Sequence, residues 1–390
     1  MTTVDFELSA EHRLFRDTIR DFVASEVRPV AREYELSGVY PVAIVEKMKA
    51  MGLFGISVPE AYGGMGADAL TLAILFEELS RGWMGVAGIL GTHSLACAMI
   101  ARHGTDAQRL KYLPDLATGV RRTGIGLTEP DAGTDLQGIK TRAQRDGDEY
   151  VIRGTKLWIT NARHADPLPV LVKTDPDADP AHRGMSVLLV DADRPGYSVS
   201  RDLPKLGYKG PESCEVVLDD VRVPADALLG GEEGHGLQHV LGGLELGRIN
   251  VAARAVGVAQ EAYDRSLAYA KQRTAFGKPI AGYQTIQNKL AEMAMGVQSA
   301  RLMTWWAASA ADRGDRADIH AGMAKYQASE TALHNALEAM RIHGGMGYSQ
   351  ELEIERLYRD APLMAIGEGT NELQRLIIAK GLLSGQVVID

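Results

Sequence analysis

Near the C-terminus, Ala365-Ile-Gly-Glu-Gly-Thr-Asn371 sets one carboxylate, Glu368, between two glycines. With no Cβ on either neighbour, the backbone can turn sharply there and come close to a ligand. The Thr-Asn pair that follows reads as a helix start, which places backbone N–H groups beside the carboxylate. A carboxylate held in this way suits a general base. The seven residues alone also allow a solvated turn acid.

Other stretches carry chemistry in the same two-sided way. Gly124-Ile-Gly-Leu-Thr-Glu-Pro-Asp-Ala-Gly-Thr-Asp135 runs off a strand-like segment into a Gly/Asp/Thr loop. In Leu157-Trp-Ile-Thr-Asn161, strand alternation puts Trp158 and Thr160 on one face. A planar cofactor could pack on the indole while the hydroxyl bonds a ring edge; a turn and a core tryptophan are the plain alternatives. Gln272-Arg-Thr-Ala-Phe-Gly-Lys278 ends a long helical pattern with cations, which suits the helix dipole and also lets Arg273 hold a pyrophosphate with Phe276 against a base. His235 and His239 lie four apart on a helix, but no third ligand is spaced for zinc, so no metal is expected. A Rossmann glycine fingerprint, a Walker loop and a nucleophile elbow are all missing.

The elements that must position these residues form an α–β–α plan. The chain has 390 residues, 45% hydrophobic and 24% charged, with net charge −9. Its length implies several subdomains, and the acidic balance argues against nucleic acid as a partner. Two cysteines, Cys97 and Cys214, imply no disulfide framework and fit a reducing compartment. The start, Met1-Thr-Thr-Val-Asp-Phe6, lacks the basic and apolar regions of a leader, and no stretch reads as long and apolar enough to span a bilayer. A cytoplasmic protein without membrane insertion is the expectation.

Residues 1–120 read as helical, with Ser9 as an N-cap and Leu14, Phe15, Ile19, Phe22, Val23 and Val27 at helical spacing. Pro41 opens a second helix, and two further, nearly all-apolar helices are expected at about 68–82 and 86–102. Residues 121–232 read as a small, mostly antiparallel β domain, with strands at 123–128, 140–145, 149–152, 157–160, 170–174, 185–190 and 214–218. Residues 233–390 are helical again: Val251, Ala255, Val258, Ala262 and Tyr269 form a stripe, with Arg254, Glu261 and Arg265 on other faces. Helices at 284–313 and 317–342 follow.

Five motifs occur in one order: Thr-Glu-Pro at 128–130, Trp-Ile-Thr at 158–160, Arg-x-x-Phe-Gly at 273–277, His-Gly-Gly at 343–345 and Glu-Gly-Thr at 368–370. Together they resemble the acyl-CoA dehydrogenase family over nearly the whole chain. The resemblance implies an α+β, mostly α fold: an N-terminal helical domain, a central β-barrel-like domain and a C-terminal four-helix bundle. It implies a homotetramer, a dimer of dimers, with FAD at the dimer interface. By position, Ile125, Leu127, Thr128, Gly133 and Thr134 would line FAD, with Thr134 also near the acyl-CoA. Trp158, Ile159 and Thr160 would cover the flavin, Thr160 near its N5. Arg273, Phe276 and Gln284, with Arg341, Gly344 and Gly345, would reach the FAD of the neighbouring subunit, and Thr370 and Glu372 would contact FAD. Glu245, Arg248 and Gly369 would contact substrate.

The implied reaction is α,β-dehydrogenation of a saturated short, medium or branched acyl-CoA. Glu368 would take the α-proton, the β-hydride would pass to flavin N5, and electrons would go on to electron-transfer flavoprotein. The Glu368 N–H and a ribityl hydroxyl would polarise the thioester carbonyl, and burial should raise the Glu368 pKa. An oxidase using O₂ and a catalytically silent flavin-binding relative are the alternatives. Some positions depart from the family pattern. Arg341 stands where Gln is common, and Glu372 where some members have Gln. Gly247 stands where some relatives carry the base, and Val86 where glutaryl-specific relatives carry an Arg, which argues against a dicarboxylyl substrate of that type. Leu90-Gly-Thr-His93 is read as the far end of the acyl pocket.

Overall fold

The computed structural model describes residues 7–314 and 317–385. The opening hexapeptide, read above for its lack of a leader, lies outside them. Ser9 caps α1 (Ala10–Phe22), its hydroxyl accepting the His12 N–H. A π-turn joins α1 to α2 (Arg28–Ser37), so the first helical run is longer than the apolar spacing suggested. α3 (Val42–Ala50) follows Pro41 as expected. The two expected apolar helices form α4 (Ala69–His103), a 35-residue element broken at Trp83, whose backbone is extended. α5 (Asp106–Thr118) completes the N-terminal part behind a Thr105–Gln108 capping box; its internal Pro114 hid it from the sequence.

Contrary to the sequence expectation, α4 is long and apolar enough to cross a membrane, with a mean hydropathy of 1.6 over 18 residues. That window is 83% buried inside the protein. The apolar surface faces the rest of the chain.

The middle part is one six-stranded sheet, ordered β4-β3-β1-β2-β6-β5. Its strands are β1 (Arg142–Asp146), β2 (Glu149–Thr160), β3 (Leu168–Lys173), β4 (Met185–Val190), β5 (Tyr197–Val199) and β6 (Ser213–Pro224). All pairs are antiparallel except β1 with β3. Segments 149–152 and 157–160 are two ends of β2, interrupted by register shifts. Segment 123–128 is not a strand; single bridges at Arg122 and Gly126 anchor it.

α6 (Gly236–Gln272) is the central helix of the C-terminal part, packed with α4, α7 (Gln284–Asp312) and α8 (Asp318–His343). A two-residue hairpin, β7 (Thr274–Ala275) and β8 (Lys278–Pro279), joins α6 to α7. α9 (Gly345–Tyr348), α10 (Ile354–Ile366) and α11 (Asn371–Leu383) follow. The expected stripe on α6 is buried, but Arg254 and Glu261, assigned to other faces, are buried too, at 8% and 2% exposure. From 247 to 259 the helix is buried on every side, so there periodicity cannot show which polar groups it buries.

Alanines dominate the α6–α8 contact: Ala255, Ala259 and Ala262 against Ala324, Ala328, Ala332 and Ala336, all buried. Small side chains let helix axes approach closely. α6 also meets the backbone of α4 closely at Gly257, where a Cβ would stand 2.3 Å from the Glu77 carbonyl oxygen and 2.7 Å from Ser80 Cβ. Gly257→Ala is expected to force α4 and α6 apart and to lower stability by about 1–3 kcal/mol. An unchanged apparent Tm in thermal unfolding would show that the two helices can give way at no cost.

Candidate active site

α10 ends at Gly367 and α11 begins behind Thr370, whose hydroxyl caps the Leu373 N–H at 3.3 Å. The turn between them is tighter than flanking glycines alone suggested. Glu368 itself adopts φ +55°, and Gly369 φ +83°. A non-glycine residue in the left-handed region carries strain that its surroundings must offset. They do so through Lys325 on α8. Its fully buried ammonium donates to the carbonyls of Ala365 (3.1 Å) and Gly369 (2.8 Å) and to Asn371 Oδ1 (2.9 Å). Gln374 Nε2 adds a bond to the Gly369 carbonyl at 3.2 Å. Neither side chain is visible in the sequence as part of the site, although a lone lysine amid Ala321, Ala324 and Ala328 is a usable signal.

The Glu368 carboxylate rests on α6. A Cβ at Gly247 would lie 3.0 Å from Glu368 Oε2, so the absent side chain at 247 leaves the carboxylate its seat. Burial raises the Glu368 pKa, opposed by the charges of Arg254, Arg248 and Lys325. Burial in turn pulls Lys325 down to about 8, against the attraction of Glu368. Arg248, an expected substrate residue, is 6% exposed, donates to the Asp318 carbonyl and lies close enough for its charge to act on Glu368. Among the described residues, the Glu368 N–H finds no acceptor in the chain.

The middle domain brings a second set to this region. Glu129 is not a ligand group: it pairs with the buried Lys156 at 2.7 Å and accepts the N–H groups of Lys140 and Thr141. Lys156 also donates to the Leu127 carbonyl at 3.1 Å. This buried pair fixes the loop carrying Ile125, Leu127 and Thr128, which are partly exposed, and Gly133 and Thr134, which are exposed. The N–H groups of Leu127 and Thr128 take no backbone acceptor among the described residues. A β-bulge between Lys156 and Ile159 gives Trp158 φ +63°. Trp158 is 52% exposed, Ile159 is buried and Thr160 half-buried. The shared outward face of Trp158 and Thr160 therefore comes from a bulge rather than from simple alternation. An open indole face, a hydroxyl two residues on and unpaired backbone donors fit a flavin ring.

The remaining expected cofactor residues lie elsewhere in the chain. Arg248 lies twelve residues into α6 and Arg273 caps its C-terminus, roughly 37 Å apart at a helical rise of about 1.5 Å per residue. Arg273, Phe276 and Gln284 are exposed, Phe276 at 96%. Arg341 is exposed and pairs with Glu338 on its own helix, and Gly344 (φ +60°) and Gly345 have open space beside them. Glu372 is also exposed and pairs with Arg375, while Glu245 is half-buried near the start of α6. His93 does not face an acyl pocket. It accepts the Thr123 N–H on Nδ1 and donates from Nε2 to the Phe54 carbonyl, a tie between domains that keeps it neutral, with burial lowering its pKa to about 4. Gly91 of the same segment does line a cavity beside Gly247.

The acyl-CoA dehydrogenase N-terminal, middle and C-terminal domain models match residues 9–120, 124–221 and 234–383. A probable acyl-CoA dehydrogenase of Bacillus subtilis is 43% identical over 97% of this chain and 100% of its own length. The butyryl-CoA dehydrogenase structure from Megasphaera elsdenii is 36% identical, with TM-score 0.94 over 97% of this chain and 100% of its own. A glutaryl-CoA dehydrogenase structure in complex with glutaryl-CoA is 37% identical, with TM-score 0.94 over 98% of this chain and 97% of its own. Three domains, a flavin-shaped face on the middle one and a half-buried glutamate on the last therefore have one account: the chain belongs to the acyl-CoA dehydrogenase family, FAD-dependent oxidoreductases that act on the CH–CH bond of acyl-CoA thioesters.

Proposed function

We propose that the protein dehydrogenates a short saturated acyl-CoA to the trans-2-enoyl-CoA, with Glu368 as the base. The carrying observation is the Glu368 carboxylate, seated on Gly247 in a buried site with a raised pKa. FAD, when bound, accepts the β-hydrogen as hydride. The chain supplies the rest. Glu368 takes the α-proton. Its own N–H, without an acceptor among the described residues, is available to the thioester oxygen, where it stabilises the charge that develops as the proton leaves. Lys325 holds both carbonyls of the turn and so aims the carboxylate. Trp158 and Thr160 present a flat apolar surface and a hydroxyl to the cofactor.

A short chain is supported by the cavity beside Gly247. It measures about 20 Å³ and is walled by Phe76, Leu95 and Leu246, room for about one water-sized group. The reading continues with a homotetramer, a dimer of dimers, electron-transfer flavoprotein as acceptor and a cytoplasmic location. The dimer is supported by Arg273, Phe276 and Gln284, which are exposed, Phe276 at 96%, and lie at the far end of α6 from Arg248, where a second copy could meet them.

Glu368→Gln is expected to retain FAD and bind thioester, while anaerobic flavin reduction falls by roughly 10²–10⁴-fold. Reduction at the wild-type rate would remove Glu368 as the base. Only ionised Glu368 accepts a proton, and its raised pKa keeps it protonated to higher pH than an ordinary glutamate. kcat/KM should therefore rise with pH along a limb above the usual carboxylate range. Lys325→Met removes a charge that holds this pKa down and also loosens the turn. The limb should move further up and kcat fall by roughly tenfold to a hundredfold. A pH profile that keeps its position would show that Lys325 acts on neither.

A further inference from the structure

A small cavity between α4 and α6 is lined by Gly91, Gly247 and Asn250, and the groups packed around it are not purely aliphatic. On α6, Gly247, Asn250 and Arg254 follow one another at intervals of one turn and so share a face. Asn250 lies across from Gly91 of α4, its Nδ2 2.3 Å from where a Cβ would stand, and its Oδ1 is buried without a partner. One turn earlier on α4, the Tyr208 hydroxyl occupies the place of a Cβ at Gly88, 1.8 Å from that point. The same phenol reaches the Thr160 side chain.

Arg254 is the group this arrangement leaves unmatched. It is 8% exposed, and its Nε and Nη2 are buried with no hydrogen-bond partner among the described residues. Its guanidinium lies 5.2 Å from the Tyr208 ring centroid, a cation–π contact that offsets part of the lost hydration and uses none of those donors. A guanidinium cannot shed its proton to escape burial, and a buried charge without a partner is costly. Neighbouring arginines show the contrast: Arg28 forks onto Glu261, and Arg301 onto Glu77. Glu368 feels the Arg254 charge but forms no ion pair with it.

We propose that Arg254 receives a carboxylate at the distal end of the acyl chain, so that the substrate is a short dicarboxylyl-CoA thioester. The inference rests on the dehydrogenase reading above and names its substrate class. The sequence argued against such a substrate from Val86, which is fully buried in the apolar core; the cation stands on α6 instead. Arg254 is two turns beyond Gly247, roughly 10 Å along the axis, and a helical side chain leans back toward the N-terminus. The cavity beside Gly247 is about 20 Å³, so a chain of four or five carbons spanning this distance must displace the Asn250 side chain that lines it. The carboxylate is bound and not transformed: the α-proton goes to Glu368, the β-hydride to the flavin, and the double bond forms between Cα and Cβ.

The test uses Glu368→Gln holoenzyme, in which complexes persist without turnover, titrated with succinyl-, glutaryl-, butanoyl- and pentanoyl-CoA and followed by flavin absorbance. At least one dicarboxylyl thioester is expected to bind roughly tenfold or more tighter than its uncharged counterpart. Adding Arg254→Met in the same background should abolish or reverse that ratio, and Arg254→Lys should keep part of it. Equal binding of charged and uncharged chains, or a ratio that survives Arg254→Met, overturns the proposal. If Arg254→Met does not fold with FAD, the ratios in the parent and in Arg254→Lys decide. A flavin spectrum that none of the four thioesters perturbs would sink the dehydrogenase reading itself.

Discussion

A carboxylate that must be buried yet ionise is the constraint around which this protein is built. Taking Glu368 out of water favours its neutral form, and Arg254, Arg248 and Lys325 pull the other way. The balance leaves a base stronger than a surface glutamate and still able to lose its proton. The same charges hold the geometry. Lys325 binds the carbonyls on both sides of Glu368, so the ammonium that tunes the carboxylate also clamps its strained backbone. Sequence positions 325 and 368 are distant, and α8 exists in part to bring them together.

The middle domain solves a parallel problem with a closed pair. Lys156 and Glu129 are buried together, and further bonds to backbone groups satisfy both. A pair completed in this way rigidifies its surroundings, here the loop that carries Leu127 and Thr128. Arg254 is buried without such completion. Closed pairs of this kind serve architecture; a charge left open beside Glu368 points to a ligand that closes it.

Close helix approach makes this site possible. Gly257 lets α6 touch the backbone of α4, and Gly247 gives the Glu368 carboxylate its seat. Gly88 and Gly91 admit Tyr208 and Asn250 into the space between the same helices. Each of these glycines acts by the volume it leaves to a partner from another element, not by backbone freedom. A glycine in a helix costs stability relative to alanine, and the packing it permits offsets that cost.

The sequence by itself determined the α–β–α plan, most helix positions, the strand at 185–190 and the glycine-flanked turn that carries Glu368. These rest on local signals: periodicity, caps, glycines flanking an acid and the order of short motifs. It also placed Trp158 and Thr160 on a common face, though the bulge that puts them there was not foreseen. Only the tertiary structure decided that α4 is a core helix rather than a span, that Lys325 and Gln374 hold the turn, and that Arg254 is buried near Glu368 with its Nε and Nη2 unpartnered among the described residues. The physical reason is that the burial of a charge is set by what other elements pack around it. A residue carries its own charge in the sequence, but its neighbours and the water they exclude exist only once the chain has folded.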